Sequence, residues 1–267
     1  MSKRTQALVV GGGLFGSMAA HALREKGFDV KIFDSKKKGS GSKLAACLMK
    51  PSWMTSLDYK PPIAFLEKMF GVETISFKVK FLKADCFWVN PRSIMNLETI
   101  QEEVIRVDDG EVETENKTYS GLVVVAAGVW TNELLKTKKV PEIRALCGSA
   151  VIGEGRVKTP TIDPYAPYRQ AVWFNRGENE TWFGDGTAII LKNFSEDHKE
   201  KTRQRAKDLA GIEGKLVSGQ RPYIKGMNNG LFLQLRDNLF VSTGGAKNGT
   251  ILAAKNSLEL VRSLSSR

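Results

Sequence analysis

Ala7-Leu8-Val9-Val10-Gly11-Gly12-Gly13-Leu14-Phe15-Gly16, followed by Val30-Lys31-Ile32-Phe33-Asp34, decides the fold of this 267-residue chain. The first four residues predict a short strand of the kind buried in a parallel sheet. The glycine run breaks it. Leu14 to Lys26 reads as a helix, with Gly16, Ala19 and Ala20 on one face and Gly27 as its stop. Val30 to Asp34 is the second strand. Gly11-x-Gly13-x-x-Gly16 between strand and helix is therefore a dinucleotide fingerprint. Gly11 permits the tight turn, Gly13 lets the backbone approach a pyrophosphate, and Gly16 lets helix and strand pack closely. The helix N-terminus offers N–H groups and a positive dipole to phosphates. Asp34, eighteen residues after Gly16, puts a carboxylate where adenosine ribose hydroxyls would lie. An acid there disfavours a 2′-phosphate, hence NADP, but does not choose between NAD and FAD.

Outward from this unit the pattern predicts two parts. Lys36-Lys37-Lys38-Gly39-Ser40-Gly41-Ser42 is a basic Gly/Ser loop, with a helix expected from about Lys43. Ile75, Phe77, Val79 and Phe81 alternate as in a strand of a different sheet, and Pro91 opens a helix running toward Ile105. Leu122 to Ala127 is another apolar strand. Between 140 and 235 short strands (150–152, 172–175, 181–183 and 188–191) flank one charged helix over 196–210. Leu239 to Thr243, Gly244-Gly245 and Thr250 to Leu264 then return to strand, turn and helix. The expected fold is α/β: a Rossmann-type FAD-binding domain from 1–55, 90–135 and 236–267, with an inserted antiparallel-sheet substrate domain from 56–89 and 136–235.

Four segments spanning nearly the whole chain resemble the FAD-dependent D-amino-acid oxidase/glycine oxidase family, which includes sarcosine oxidases. The first is the βαβ unit. The second, Ser42-Lys43-Leu44-Ala45-Ala46-Cys47-Leu48-Met49-Lys50-Pro51, is similar to the family's small-residue segment under the flavin; Cys47 stands where glycine is commoner. The third, ending Ala126-Ala127-Gly128-Val129-Trp130, looks like the strand end that approaches the cofactor. The fourth, Thr243-Gly244-Gly245-Ala246-Lys247-Asn248-Gly249-Thr250-Ile251-Leu252, is similar to the glycine-rich element around the flavin pyrimidine, with Lys247 in place of the usual arginine.

This resemblance implies FAD as cofactor, held by Gly11, Gly13, Leu14, Phe15, Gly16, Asp34, Ser35, Ser42, Ala45, Ala46, Ala127, Gly128, Trp130, Gly244, Gly245, Lys247, Asn248, Gly249 and Thr250. No cysteine in the fourth segment offers a covalent tether. Arg221-Pro222 is similar to the family's "RP" pair, whose arginine clamps the substrate carboxylate; a planar guanidinium suits that task. Tyr223 is a candidate for orienting substrate, Thr187 resembles a residue lining the substrate chamber, and Lys247 or Lys225 could stabilise reduced oxygen by charge. A bare strand–turn–helix and a surface Arg-Pro are the bland readings of the last two motifs.

Composition narrows the remaining classes. Cys47, Cys86 and Cys147 are far apart and there are only two histidines, so no metal-ligand spacing exists. His21 reads as a core-edge residue, His198 as solvated, and Asp108-Asp109 as a turn before Gly110. No run of eighteen apolar residues is present, and the N-terminal apolar run is a strand rather than a signal. A cytoplasmic location without a membrane partner is expected. The 40 Lys+Arg against 29 Asp+Glu give a net charge of +11. That suits either an ordinary basic enzyme or one whose substrate is attached to a polyanion.

The expected function is oxidation of an amino-acid or N-substituted glycine C–N bond by hydride transfer to flavin, with oxygen as acceptor. A family member acts on a glycine unit borne by a tRNA uridine, so a glycine-like unit on DNA or RNA is one substrate class. A free small amino acid (glycine, sarcosine or a D-amino acid) is the alternative. A non-catalytic flavin-binding protein and an NAD-linked dehydrogenase are the competing classes.

Overall fold

The computed structural model describes residues 5–164, 170–186, 189, 190 and 195–266. A five-stranded sheet carries the fingerprint. Its order is Leu231–Arg236, Leu239–Thr243, Leu122–Val125, Gln6–Val10, Asp29–Phe33, and the last four run parallel. Strand alternation sorts its side chains into two cores. Ala7, Val9, Ile32, Val124 and Phe240 face the helices Leu14–Glu25 and Gly249–Ser265 through Ala19, Leu23 and Leu260. Leu8, Val10, Phe33, Val123 and Val241 face a three-stranded meander (Val104–Asp108, Glu111–Thr114, Thr118–Ser120) through Val104, Val112 and Tyr119. Apolar burial on both faces stabilises the sheet by about 2 kcal/mol for each large side chain.

A second, nine-stranded sheet is built on the long strand Arg144–Glu154. On one side its residues 144–153 pair antiparallel with Gly214–Tyr223. On the other it pairs with Glu180–Gly184 and Ile189–Ile190. Ala171–Asn175, Thr161–Asp163, the hairpin Glu73–Val79/Leu82–Trp88 and Leu48–Met49 extend the sheet. The helix Glu196–Ala210 covers one face, where Ala206 packs on Val151, Ala171 and Phe183. Its outer surface is a string of internal ion pairs, Lys199–Glu196, Lys201–Asp197 and Arg203–Glu200, as a solvated helix face requires.

Several expected elements differ. The helix from Lys43 is instead a 3-10 turn, Gly41–Leu44, followed by the strand Leu48–Met49. The carbonyls of Leu44 and Ala46 accept from the indole N–H groups of Trp182 and Trp88 at 3.2 and 3.0 Å, so they do not build a helix ladder. The helix at Pro91 stops at Ile94. The chain then runs extended, because Ile100 exchanges backbone hydrogen bonds with the Ile32–Asp34 strand end. Gly214–Tyr223 is a strand despite Pro222, which lies on a sheet edge where a missing N–H is tolerated. Two elements within the segments assigned to the inserted domain pack with the five-stranded sheet: Leu231–Arg236 is one of its strands, and Lys60–Phe70 buries Phe65 and Leu66 in the cluster holding Leu14, Phe15 and Ile251.

Candidate active site

The glycine loop is tightly packed. A Cβ on Gly11 would lie 2.4 Å from the carbonyl oxygen of Ala126, and one on Gly16 would lie 1.8 Å from that of Gly11. Gly11 also holds a φ of +105°. Asp34, just past the strand Asp29–Phe33, accepts from the backbone N–H of Gly12 at 3.1 Å and of Lys36 at 2.8 Å. Ser42 accepts from the N–H of Leu14 at 3.0 Å, so its hydroxyl caps the fingerprint helix from across the loop.

These groups open onto a cavity of about 580 Å³, a size typical of small-molecule sites. The cavity gathers most of the expected residues. Gly11, Gly13, Leu14, Phe15, Asp34, Ser35, Ser42, Ala45, Ala46, Ala127, Gly128 and Trp130 line it. Gly245, Lys247, Asn248, Gly249, Thr250 and Arg221 line it as well. Gly16, Gly244 and Tyr223 are not in the wall. Gly16 serves helix–strand packing, and Gly244 turns the chain with a φ of +83°. Tyr223 sits opposite Arg144 at the strand's end. Thr187 lies outside the described residues.

Arg221 is held there by main-chain bonds from two directions. The N–H of Gln220 donates to the carbonyl of Gly39 at 2.7 Å, and that of Ala246 donates to the carbonyl of Pro222 at 3.0 Å. A Cβ on Gly41 would meet the Gln220 carbonyl oxygen at 2.5 Å, so the basic loop and the Arg221 strand are in direct contact. Glycine at 41 and 219 is what permits this approach.

Cys47 is buried in the cavity wall with a φ of +52°, a left-handed conformation suited to glycine. Burial pushes its thiol pKa up to about 11, against a lowering hydrogen bond from Thr250, so the thiol stays protonated near neutral pH.

Residues outside the expected site also line the cavity: Trp53 and Trp182 join Met49 in its apolar wall, and Glu102, Glu103 and Lys37 add charge. Lys37 and Glu103 form an ion pair at 2.9 Å. Trp182 and Glu102 carry no motif, because they arrive from the second sheet and from an extended segment paired to the first.

Residues 9–42, which span the strand–helix–strand unit, match the family described as NAD(P)-binding Rossmann-like domain. No curated protein sequence matches the chain. Among solved structures, glycine oxidase from Bacillus cereus ATCC 14579 superposes with a TM-score of 0.74 at 16% identity, over 98% of this chain and 95% of that one. The chain has the glycine oxidase fold. Iminodiacetate oxidase from Chelativorans sp. BNC1 gives 0.73 at 14% identity, over 98% and 95%. The glycerol-3-phosphate dehydrogenase from Bacillus halodurans, solved in complex with FAD, gives 0.69 at 14%, over 99% of this chain and 66% of that one. The resemblance read from the four sequence segments is thus borne out in the glycine oxidase fold. Among the described residues, no helix is long and apolar enough to cross a membrane.

Proposed function

We propose that the chain binds FAD without a covalent link and oxidises the C–N bond of an amino acid or N-substituted glycine. The observation that carries this reading is the Ala246–Pro222 hydrogen bond. It joins the C-terminal glycine element to the Arg221 strand, so one cavity holds both a dinucleotide cradle and a carboxylate clamp.

The wall fits FAD on a separate count. Glu102 Oε2 and Thr243 Oγ1 are buried polar atoms of this wall without a hydrogen-bond partner. Such atoms cost about 1–3 kcal/mol each unless a ligand satisfies them. Both line the same cavity as Asp34 and Gly245, where the polar groups of a bound dinucleotide would satisfy them.

When bound, FAD supplies the hydride acceptor for the substrate α-carbon, and oxygen serves as the final acceptor. The protein's part is positioning. The guanidinium of Arg221 fixes the carboxylate and so aims the α-C–H. Trp182 and Met49 exclude water. Lys247 and the N-terminus of the Gly249–Ser265 helix place positive charge where the reduced cofactor would be anionic. No histidine or thiolate base is required, in keeping with a Cys47 that stays protonated. In this scheme segments 1–55, 90–135 and 236–267 form the cofactor part, joined by Lys60–Phe70 and Leu231–Arg236, and the rest of 56–89 and 136–235 forms the substrate part.

Iminodiacetate, the substrate named for one structural neighbour, is itself an N-substituted glycine. The net charge of +11 is the observation behind a second reading: a glycine-like unit carried on a DNA or RNA base. Three free, buried cysteines are compatible with a cytoplasmic setting. A substrate panel tests the choice. Glycine, sarcosine, iminodiacetate, D-amino acids and glycine-modified oligonucleotides would be compared for anaerobic bleaching of the flavin. Bleaching by none of them contradicts the oxidase reading, and bleaching by free amino acids alone removes the base-linked one.

A further inference from the structure

The hairpin Glu73–Val79/Leu82–Trp88 ends in a two-residue turn, Lys80-Phe81. Lys80 holds a φ of +55° at a turn position that ordinarily takes glycine or asparagine. At the apex Phe81 is 101% exposed and Leu82 is 73% exposed. Neither turn chemistry nor burial accounts for a large apolar residue there. Of the four non-glycine residues with positive φ among the described residues, Cys47 and Ala246 line the flavin cavity and Lys36 donates its N–H to Asp34. Lys80 is the fourth, and backbone strain of this kind concentrates at functional positions.

The same hairpin sets Lys78 directly opposite Lys83, a like-charge pair that weakens strand pairing. Lys78 also enters the wall of a second cavity, of about 450 Å³, together with Arg156, Lys158, Thr159 and Trp173. The hairpin is fixed to this groove by the N–H of Lys78, which donates to the carbonyl of Pro160 at 2.9 Å. Lys83, Lys78, Lys158 and Arg156 thus form a cationic lane, with one exposed aromatic at the hairpin tip and another, Trp173, in the groove. Glu154 is the only carboxylate among the described residues of the groove wall.

We propose that this lane docks a nucleic-acid strand, its phosphates on the four cations and its bases on Phe81 and Trp173. Cations along a groove with interleaved aromatics are the features that hold single strands without sequence preference. The groove is concave, which admits a strand and not the flat face of a bilayer. The proposal deepens the base-linked reading of the substrate and rests on it for its purpose, while binding is measurable without turnover.

The test is fluorescence anisotropy of the FAD-loaded protein with a labelled, unmodified single-stranded oligonucleotide over a range of salt. Flavin content is read in every sample. Lys78→Glu/Lys158→Glu should lower affinity at least tenfold and flatten the salt slope by about 1.4, the share of two lost phosphate contacts. Phe81→Ser should lower affinity severalfold and leave the slope unchanged. Should the charge reversal lose flavin, Lys78→Gln/Lys158→Gln replaces it. The control Lys199→Glu/Lys201→Glu reverses two cations on the helix Glu196–Ala210. A loss as large in the control means bulk charge alone is at work and overturns the lane. So does undiminished binding in the lane variants, absence of binding by the native protein, or lane-dependent binding of phosphatidylglycerol vesicles in place of oligonucleotide. Loss of flavin bleaching by amino acids with strand binding intact would instead count against the oxidase reading alone.

Discussion

The backbone N–H of Ala246 donates to the carbonyl oxygen of Pro222 at 3.0 Å. One residue belongs to the glycine element that returns the chain to the first sheet, the other to a strand of the second sheet. The bond fixes the distance between the proposed flavin cradle and Arg221 through main chain. Side-chain changes at Arg221 should therefore alter substrate binding and leave the cradle in place.

Arg221→Ala should bind FAD normally and lose at least ~100-fold in kcat/KM for a carboxylate substrate, since a desolvated bidentate pair is worth about 3 kcal/mol. Arg221→Lys should recover only part of this, because an ammonium cannot reproduce the fork. Steady-state kinetics on both, with flavin content as the control, checks it. A wild-type kcat/KM in Arg221→Ala would remove the clamp.

Gly13→Val should yield folded, colourless protein. The Cβ would already meet Ser42 Oγ at 2.6 Å, and the branched side chain would fill the mouth of the cradle. Asp34→Ala should weaken FAD by about 1–3 kcal/mol. Because Asp34 also accepts from Gly12 and Lys36, Asp34→Asn, which keeps an acceptor, should cost less. Titration of apoprotein with FAD measures both, and equal losses would mean that charge rather than loop geometry governs the site.

Cys47 combines a left-handed backbone with a buried thiol. Glycine in place of alanine normally destabilises by about 0.5–1 kcal/mol. Here the order should invert, with Cys47→Gly more stable than Cys47→Ala in urea. The native thiol, with its pKa pushed up to about 11, should react with disulfide reagents only on unfolding. Rapid labelling of the folded protein at Cys47 at neutral pH would contradict its burial.

His21 stands against the ring of Phe70, 4.9 Å between centroids, with Nε2 3.2 Å from the carbonyl oxygen of Ile94. Burial holds its pKa below the ordinary 6.5, with the Ile94 contact opposing and Arg24 adding to the fall. The unfolded chain then binds the proton more readily than the native one. This contribution to stability is complete above about pH 6.5 and is lost as pH falls through the folded-state pKa. Urea midpoints for the wild type and His21→Gln, compared between neutral and mildly acidic pH, should diverge in that direction. Parallel curves would place His21 in solvent.

The fingerprint was legible because each of its glycines answers a local constraint: Gly11 to φ, Gly16 to the Gly11 carbonyl, Gly13 to the cavity mouth. The helix Glu196–Ala210 was legible from its charge pattern alone. The strand Gly214–Tyr223 was not, since glycine and proline, at 219 and 222, are disfavoured within a strand. Both are there because the strand is an edge pressed against Ser40 and Gly41. The helix expected at Lys43 failed for a related reason: tryptophans distant in sequence take its carbonyls. Glu102 gave no local signal, because its place in the cavity follows from the pairing of Ile100 with Phe33.

The most direct test is the absorbance of purified protein before and after anaerobic addition of an N-substituted glycine, in the wild type and in Arg221→Ala. The account predicts a yellow wild type that bleaches, a yellow Arg221→Ala that bleaches at least ~100-fold more slowly at limiting substrate, and colour released from both by acid precipitation. A colourless wild type that takes up no FAD, or equal bleaching in the two proteins, would contradict it.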